Sequence, residues 1–368
     1  MPQLLIRGLR QQLKAFHRWP LGAASFGLLL RLVLYATAFA GTLVVSSFVL
    51  RALLGVAAGV FSGSLFMIGH DACHGSYTSR PVLNQVIGRI AFLSSYHTYS
   101  PWELSHNRIH HVYTNLRDKD FVWTPLSRAE LDALPWWKRR LYRAYRTPLG
   151  LALYYPIEIW WPRLFFPRRA LLDRPRRVYT LDSLLVLGFL AAQLAMVAAA
   201  SAGWHAWALG TVFALVVPYL TFSWMIGFVI YFNHTHPEVP WFAARGEWSS
   251  AAGALRGTVR LTFPRWTAFF APSIMDHVAH HVDPRVPLVR LKQAQERIEA
   301  VLPGQIVVQA WSVRALLGIL ERCKLYDYDA HCWTDFQGSP TTRRLAPGLP
   351  HLEQAAAWRG GTPAQHAS

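Results

Sequence analysis

Four uncharged apolar runs constrain this chain more than any other feature, because each is close to the roughly 20 residues that a helix needs to cross a bilayer. They are Leu32–Leu50, Ala52–Ile68, Ser183–Ala202 and Trp207–Phe232. Arg51 alone separates the first two, which predicts a tight hairpin. The fourth is long enough to tilt or to extend past the headgroups. Composition agrees: 52% of the 368 residues are hydrophobic and 15% are charged, against roughly 25% charged in a soluble domain. Gln3–Trp19 is basic and interrupted and has no small-residue cleavage site, so it does not read as a signal peptide. Three cysteines, Cys73, Cys323 and Cys332, are too few for a disulfide framework and lack zinc-thiolate spacing.

Charge placement orients the spans. Lys plus Arg number 37 and Asp plus Glu 20, a net charge of +17. The short connections between paired spans hold Arg51 and, near Ser201–His205, no Lys or Arg. The middle loop holds Lys138, Arg139, Arg140, Arg143, Arg146, Arg163, Arg168, Arg169, Arg174, Arg176 and Arg177. The N-terminal arm adds Arg7, Arg10, Lys14 and Arg18. Positive charge collects on the cytoplasmic side, so both termini and the middle loop are expected there. The excess then reads as topology and contact with anionic headgroups, not as nucleic-acid binding. Thr147–Phe166 is aromatic and broken by Pro148, Pro156 and Pro162, which suits helices lying in the interface. A helix is expected around Leu291–Leu302. The expected organisation is an arm over 1–25, a domain over 26–336 and a disordered tail over 337–368. The fold class is an all-α membrane protein, four transmembrane helices with a cytosolic helical cap.

Eight of the sixteen histidines fall into three clusters. These are His70 and His74, then His106, His110 and His111, then His277, His280 and His281. On an α-helix His70 and His74 share a face, as do His106 and His110, while His111 is turned by about 100°. His280 and His281 straddle the direction of His277 by about −60° and +40°, so they can serve two different ions. A histidine pH sensor is the bland alternative. The first cluster follows the second span, and two spans separate the second cluster from the third. All three can therefore meet on one side of the membrane. A zinc site takes three or four ligands, so eight or more imidazoles fit a pair of ions. Iron suits redox chemistry beside apolar spans.

The run Gly69-His-Asp-Ala-Cys-His-Gly-Ser76 resembles the first histidine box of the membrane fatty acid desaturases, and His106-Asn-Arg-Ile-His-His111 resembles the second. Met275-Asp-His-Val-Ala-His-His281 resembles the third box of the Δ12 (omega-6) acyl-lipid desaturases. Asn233-His-Thr-His-Pro237, followed by Glu247-Trp248, is similar to a stretch in plant and bacterial members. The resemblance runs from about Phe66 to Phe336. It implies a ninth ligand after the fourth span, His234 first and His236 second. It further implies two iron ions in a histidine-rich di-iron site, O2 as co-substrate, and a cis double bond made in a fatty acyl lipid or acyl thioester. Electrons would come from an external ferredoxin or cytochrome b5, since no nucleotide fingerprint or haem module is present. Asp71, Glu103, Asp118, Asp120, Asp276 and Asp283 are candidates to orient the imidazoles, and Cys73 reads as packing beside the site. A bacterial inner membrane is the expected location. Hydroxylases and acetylenases share these boxes. Carotenoid hydroxylases or ketolases differ in spacing, and a metal transporter would carry ionisable groups inside its spans, which these trimmed runs lack.

Overall fold

A computed structural model describes residues 2–17, 21–165, 176–264 and 273–345. Arg18, Arg168, Arg169 and Arg174, counted above among the orienting charges, lie outside the described residues, as do residues 346–368 of the expected tail. In chain order the helices that matter here are α1 (Pro2–Leu13), α2 (Leu21–Val44), α3 (Phe48–Cys73), α4 (Pro81–Leu93), α5 (Tyr99–Leu104), α6 (Trp136–Tyr145) and α7 (Leu151–Tyr154). They continue with α8 (Arg176–Ala199), α9 (Trp204–Thr211), α10 (Val217–His234), α11 (Ser250–Arg256), α12 (His277–Val282), α13 (Leu288–Val301) and α14 (Val313–Arg322). Two small sheets join them. β1 (Val259–Thr262) pairs in parallel with β2 (Val307–Ala310), Val259 opposite Val307. β3 (Leu325–Asp327) pairs antiparallel with β4 (Cys332–Thr334), Leu325 opposite Thr334. The all-α expectation is corrected to that extent, because strands of three or four residues are too short to leave a periodic signal.

Four helical segments are long and apolar enough to cross a membrane: Ser25–Val44, Phe48–Cys73, Arg177–Ala199 and Trp204–His234. The hairpin between the first two turns before Phe48, where Ser47 caps α3, and not at Arg51. Arg51 is held inside α3, its Nε–H donating to the Thr42 carbonyl at 2.9 Å and its guanidinium lying over Phe213. Arg31 stands within α2 and donates to Ser64 Oγ at 2.7 Å. Asp182, in α8, accepts from Arg89 Nε and from the Ser100 N–H, both at 2.7 Å. The spans therefore do hold ionisable groups. Arg31, Arg51 and Asp182 are each paired within the protein, which is why a charge at these positions does not end a helix.

α3 and α10 are the central pair, and they meet through glycine. A Cβ on Gly59 would stand 2.5 Å from Thr221 Cβ and 2.6 Å from the Pro218 carbonyl oxygen. One on Gly55 would stand 2.6 Å from the Phe213 carbonyl oxygen. These glycines recur every fourth residue, so one face of α3 lets two backbones approach closely, as small residues do between membrane helices. The pairing brings together the C-terminal ends of both helices, which carry His70, His74 and His234. α2 and α8 pack outside this pair and leave Phe26, Val33, Leu184 and Leu187 exposed.

The middle loop is more regular than its prolines predict. From Leu151 the chain continues helically to Phe165 through a π-helical stretch, Tyr155–Phe165. Pro156 and Pro162 lie inside it. Tyr155, Ile159 and Leu164 are buried, so one face of this stretch serves the interior. At the other end of the chain, the expected disorder from 337 is corrected for residues up to Leu345. Leu345 is buried and donates its N–H to the His331 carbonyl at 2.8 Å, and Thr341 N–H bonds the Trp333 carbonyl. One apolar core joins α1, the histidine-bearing helices and this C-terminal hairpin.

Gly59→Val is expected to lower the thermal midpoint in detergent, because overpacking of a close contact costs about 1–3 kcal/mol. An unchanged or raised midpoint would contradict the backbone contact described here.

Candidate metal centre

Box one is the end of a span: α3 runs on to Cys73, so His70 and His74 are one turn apart on the same face, ring centroids 4.7 Å apart. Box two departs from the α-helical wheel. After α5 the chain winds as a π-helical turn over Ser105–His110, and the His111 N–H donates to the His106 carbonyl, five residues back. The wider turn pairs His106 with His111, whose Nε2 atoms are 3.0 Å apart. It sends His110 to a different group. The expected His106–His110 face is thus corrected, and the cause is one inserted residue per turn. Such bulges recur at functional sites. Box three is the short helix α12. His277 and His281 lie one turn apart with Nε2 atoms 3.1 Å apart, and His280 turns the other way.

Of the eight box histidines and His234, eight converge in two groups. In one, His70, His74, His106 and His280 offer nitrogens within 4.8 Å of one another. In the other, His110, His234, His277 and His281 do the same. His111 stands between them, its ring 4.8 Å from that of His74, 4.6 Å from His280 and 4.3 Å from His281. His234 Nε2 is 3.0 Å from His277 Nε2. His236 looks elsewhere. Its Nδ1 accepts the Glu238 N–H and its Nε2 lies 3.3 Å from Gln309. Cys73 is buried but belongs to neither group.

The second group can be read proton by proton. His277 Nδ1–H donates to the Ile274 carbonyl at 3.0 Å, and His234 Nδ1–H donates to the Gly257 carbonyl at 3.2 Å. His110 Nδ1–H donates to Asp120 Oδ1 at 3.0 Å. The Thr114 hydroxyl donates to the His110 carbonyl and so receives His281 Nδ1–H, both at 2.9 Å. A neutral imidazole protonated at Nδ1 has a bare lone pair on Nε2. Four such lone pairs therefore face one another in a buried space. Adding protons does not relieve this: burial first, then neighbouring histidines, holds His277 and His281 well below the usual imidazole value. The same causes act on His74, His106, His111 and His280. A shared cation is what such a donor set fits. The first group fits one as well, since His74 Nε2 and His280 Nε2 are buried without a hydrogen-bond partner. Its outer nitrogens are held less firmly. His70 Nδ1 is 3.8 Å from Asp71, beyond hydrogen-bond range.

Of the acids proposed as orienting groups, Asp120 does this for His110. It also accepts the Asn115 and Val122 N–H groups. Asp71 accepts the Leu288 N–H, Asp276 pairs with Arg260, and Asp283 pairs with His17 and Arg285. Asp118 is exposed, and Glu103 lies on the helix that leads into His106, within electrostatic range of Cys73. Sequence reasoning missed Thr114, although a threonine four residues after a helical histidine is placed to bond its carbonyl. It also missed Trp102, whose ring stacks on His106 with centroids 4.2 Å apart. The Glu247-Trp248 pair is structural here: Trp248 Nε1–H donates to the Thr114 carbonyl at 3.0 Å, and Glu247 meets His331.

Beside both groups lies a narrow, mostly apolar cavity of about 50 Å³. Its walls include Phe66, Trp102, Phe121, Tyr155, Ile159 and Ile226. His70 and His106 of one group border it, as do His110, His234 and His277 of the other.

Comparison with known proteins agrees in kind. An omega-6 fatty acid desaturase, chloroplastic, of Brassica napus is 29% identical over 273 residues, covering 71% of this chain and 57% of that protein. An sn-1 oleoyl-lipid 12-desaturase of a Picosynechococcus species is 29% identical over 270 residues, covering 71% and 73% respectively. One of a Synechocystis species is 28% identical over 264 residues, covering 71% and 72%. The chain thus spans little more than half the length of the chloroplastic relatives. The model of the fatty acid desaturase family matches residues 46–312, which contain all three boxes and His234. A match over most of the chain, on the residues that build the histidine groups, makes this protein a member of the fatty acid desaturase family.

Proposed function

We propose that this protein is a di-iron, O2-dependent desaturase that introduces a cis double bond into a fatty acyl chain. The observation that carries the reading is the apolar void bordered by both histidine groups. An acyl chain entering it would pass both ions along walls that are otherwise apolar except for Ser105 and Tyr155. His70, His74, His106 and His280 would hold one iron, and His110, His234, His277 and His281 the other, with His111 between them. The relatives named sn-1 oleoyl-lipid 12-desaturase favour an oleoyl group on a glycerolipid as substrate, attacked at the twelfth carbon. Bound iron would supply O2 activation and the removal of hydrogen from unactivated methylenes. The balance is one hydrogen from each of two neighbouring methylenes, plus two electrons and two protons from outside, reducing O2 to two waters.

The protein's own residues do the rest. Asp120, Thr114 and the carbonyls of Gly257 and Ile274 keep the Nδ1 protons in place, so each Nε2 presents its lone pair inward. Phe66, Trp102, Tyr155 and Ile226 exclude water and grip the chain, so that chosen carbons approach the centre. The Arg- and Lys-rich middle loop favours a cytoplasmic position for the histidines, where an acidic carrier such as a ferredoxin or cytochrome b5 would deliver electrons.

Expression in a host lacking polyunsaturated lipids is expected to yield lipids lighter by two hydrogens per modified chain on mass spectrometry. Products heavier by one oxygen would make the enzyme a hydroxylase instead. His110→Ala should abolish the product while the protein stays in the membrane, and retained activity would remove His110 from the ligand set. Thr114→Val should weaken metal binding by about 10–100-fold, the usual effect of losing such a partner, whereas Thr114→Ser keeps it. Titration of metal by chelator competition would show no difference if the hydroxyl were idle. Acid should also release metal. The buried imidazoles have folded-state values below the ordinary imidazole value of about 6.5, so below that pH the unfolded, metal-free chain takes up more protons. Stability and metal retention should be full above about pH 6.5 and fall steadily beneath it. A metal content flat from pH 7 down to 4 would contradict neutral-imidazole ligation.

A further inference from the structure

The N-terminal helix lies outside residues 46–312, yet it packs against the element that carries three of the nine histidines. Ile6, Leu9 and Leu13 recur on one face of α1, and all three are buried, Leu13 completely. They share a core with Val278, Ala279 and Val282 of α12 and with Ile298 of α13. Polar ties reinforce the contact. Arg10 Nε–H donates to the Val282 carbonyl at 2.7 Å, and Arg297 Nε–H donates to Gln12 Oε1 at 2.9 Å. Just beyond the helix, His17 Nε2 lies 2.8 Å from Asp283 Oδ2.

α12 needs outside support. It has six residues, too few to be stable alone, and its last carbonyls have no partner within the helix. Val282 is the last of these, and Arg10 reaches it from α1. Gln295 of α13 accepts the Ala279 N–H at 2.8 Å from its own helix. The aim of His277, His280 and His281 therefore depends on neighbours, and α1 is one of them. We infer that α1 is a positioning clamp for the metal centre, holding α12 so that the third histidine box keeps its aim. This rests on the metal reading above and goes beyond it, because the basic, amphipathic sequence of α1 reads by itself as an arm on the headgroups.

The test uses full-length protein in nanodiscs. Four variants are compared with wild type: Arg10→Ala, its conservative counterpart Arg10→Lys, the double variant Leu9→Asp with Leu13→Asp, and Arg7→Ala as a control at an exposed position. Amide hydrogen exchange over residues 277–282 is read in metal-free protein, and metal loss to a chelator in loaded protein. The clamp predicts exchange at least about tenfold faster at 277–282 in the double variant, with α3 and α10 unchanged. It predicts metal loss faster by about tenfold or more in both variants, restored by Arg10→Lys and unaffected by Arg7→Ala. Exchange and metal loss in the double variant that match wild type would overturn the clamp. Wild-type protein that binds no iron would overturn the functional reading, and the exchange arm alone would then decide whether α1 orders α12.

Discussion

Four imidazoles that commit their only N–H to a carbonyl, a carboxylate or a hydroxyl have no proton left to offer one another. Their Nε2 atoms nonetheless point into one buried space, His277 lying 3.0 Å from His234 and 3.1 Å from His281. Burial resists protonation, so a shared positive charge is the remaining way to satisfy them. Much of the fold can be read as a response to that constraint. Ile274, Gly257 and the stretch that holds Thr114 and Asp120 come from separate segments, and each of the four residues supplies one acceptor to one ring.

Bringing nine rings together takes three devices of different scale. The glycines of α3 let its backbone approach α10 closely, so that box one and His234 arrive at the same end of the helix pair. The π-helical turn in box two divides three neighbouring histidines between two groups and the space between them. The short helix α12 then contributes to both groups at once, His280 to one and His277 with His281 to the other. None of these works without the others. Closely packed spans bring only three rings together, and α12 is too short to orient itself.

The clearest parts of this arrangement were legible in the residues. Spans were visible because long apolar runs need no partner to be recognised. The clusters were visible because helical spacing repeats, and their meeting followed from the parity of the spans. What the sequence hid was set by distant contacts. Arg31 and Arg51 look like helix ends until Ser64 and the Thr42 carbonyl are seen to receive them. The pairing of His106 with His111 depends on a backbone winding that no wheel drawn at 3.6 residues per turn contains. Thr114 meets His281 across 167 positions of sequence, and Arg10 meets Val282 across 272. The strands were too short to register.

The reading proposed for this protein requires one iron ion in each histidine group. Metal analysis of protein purified from cells grown with ample iron tests this most directly. Two iron ions per chain, lost when His110 and His280 are replaced by alanine, is the result expected from one ligand removed in each group. Protein that carries zinc alone, or that keeps both iron ions in the double variant, would contradict it.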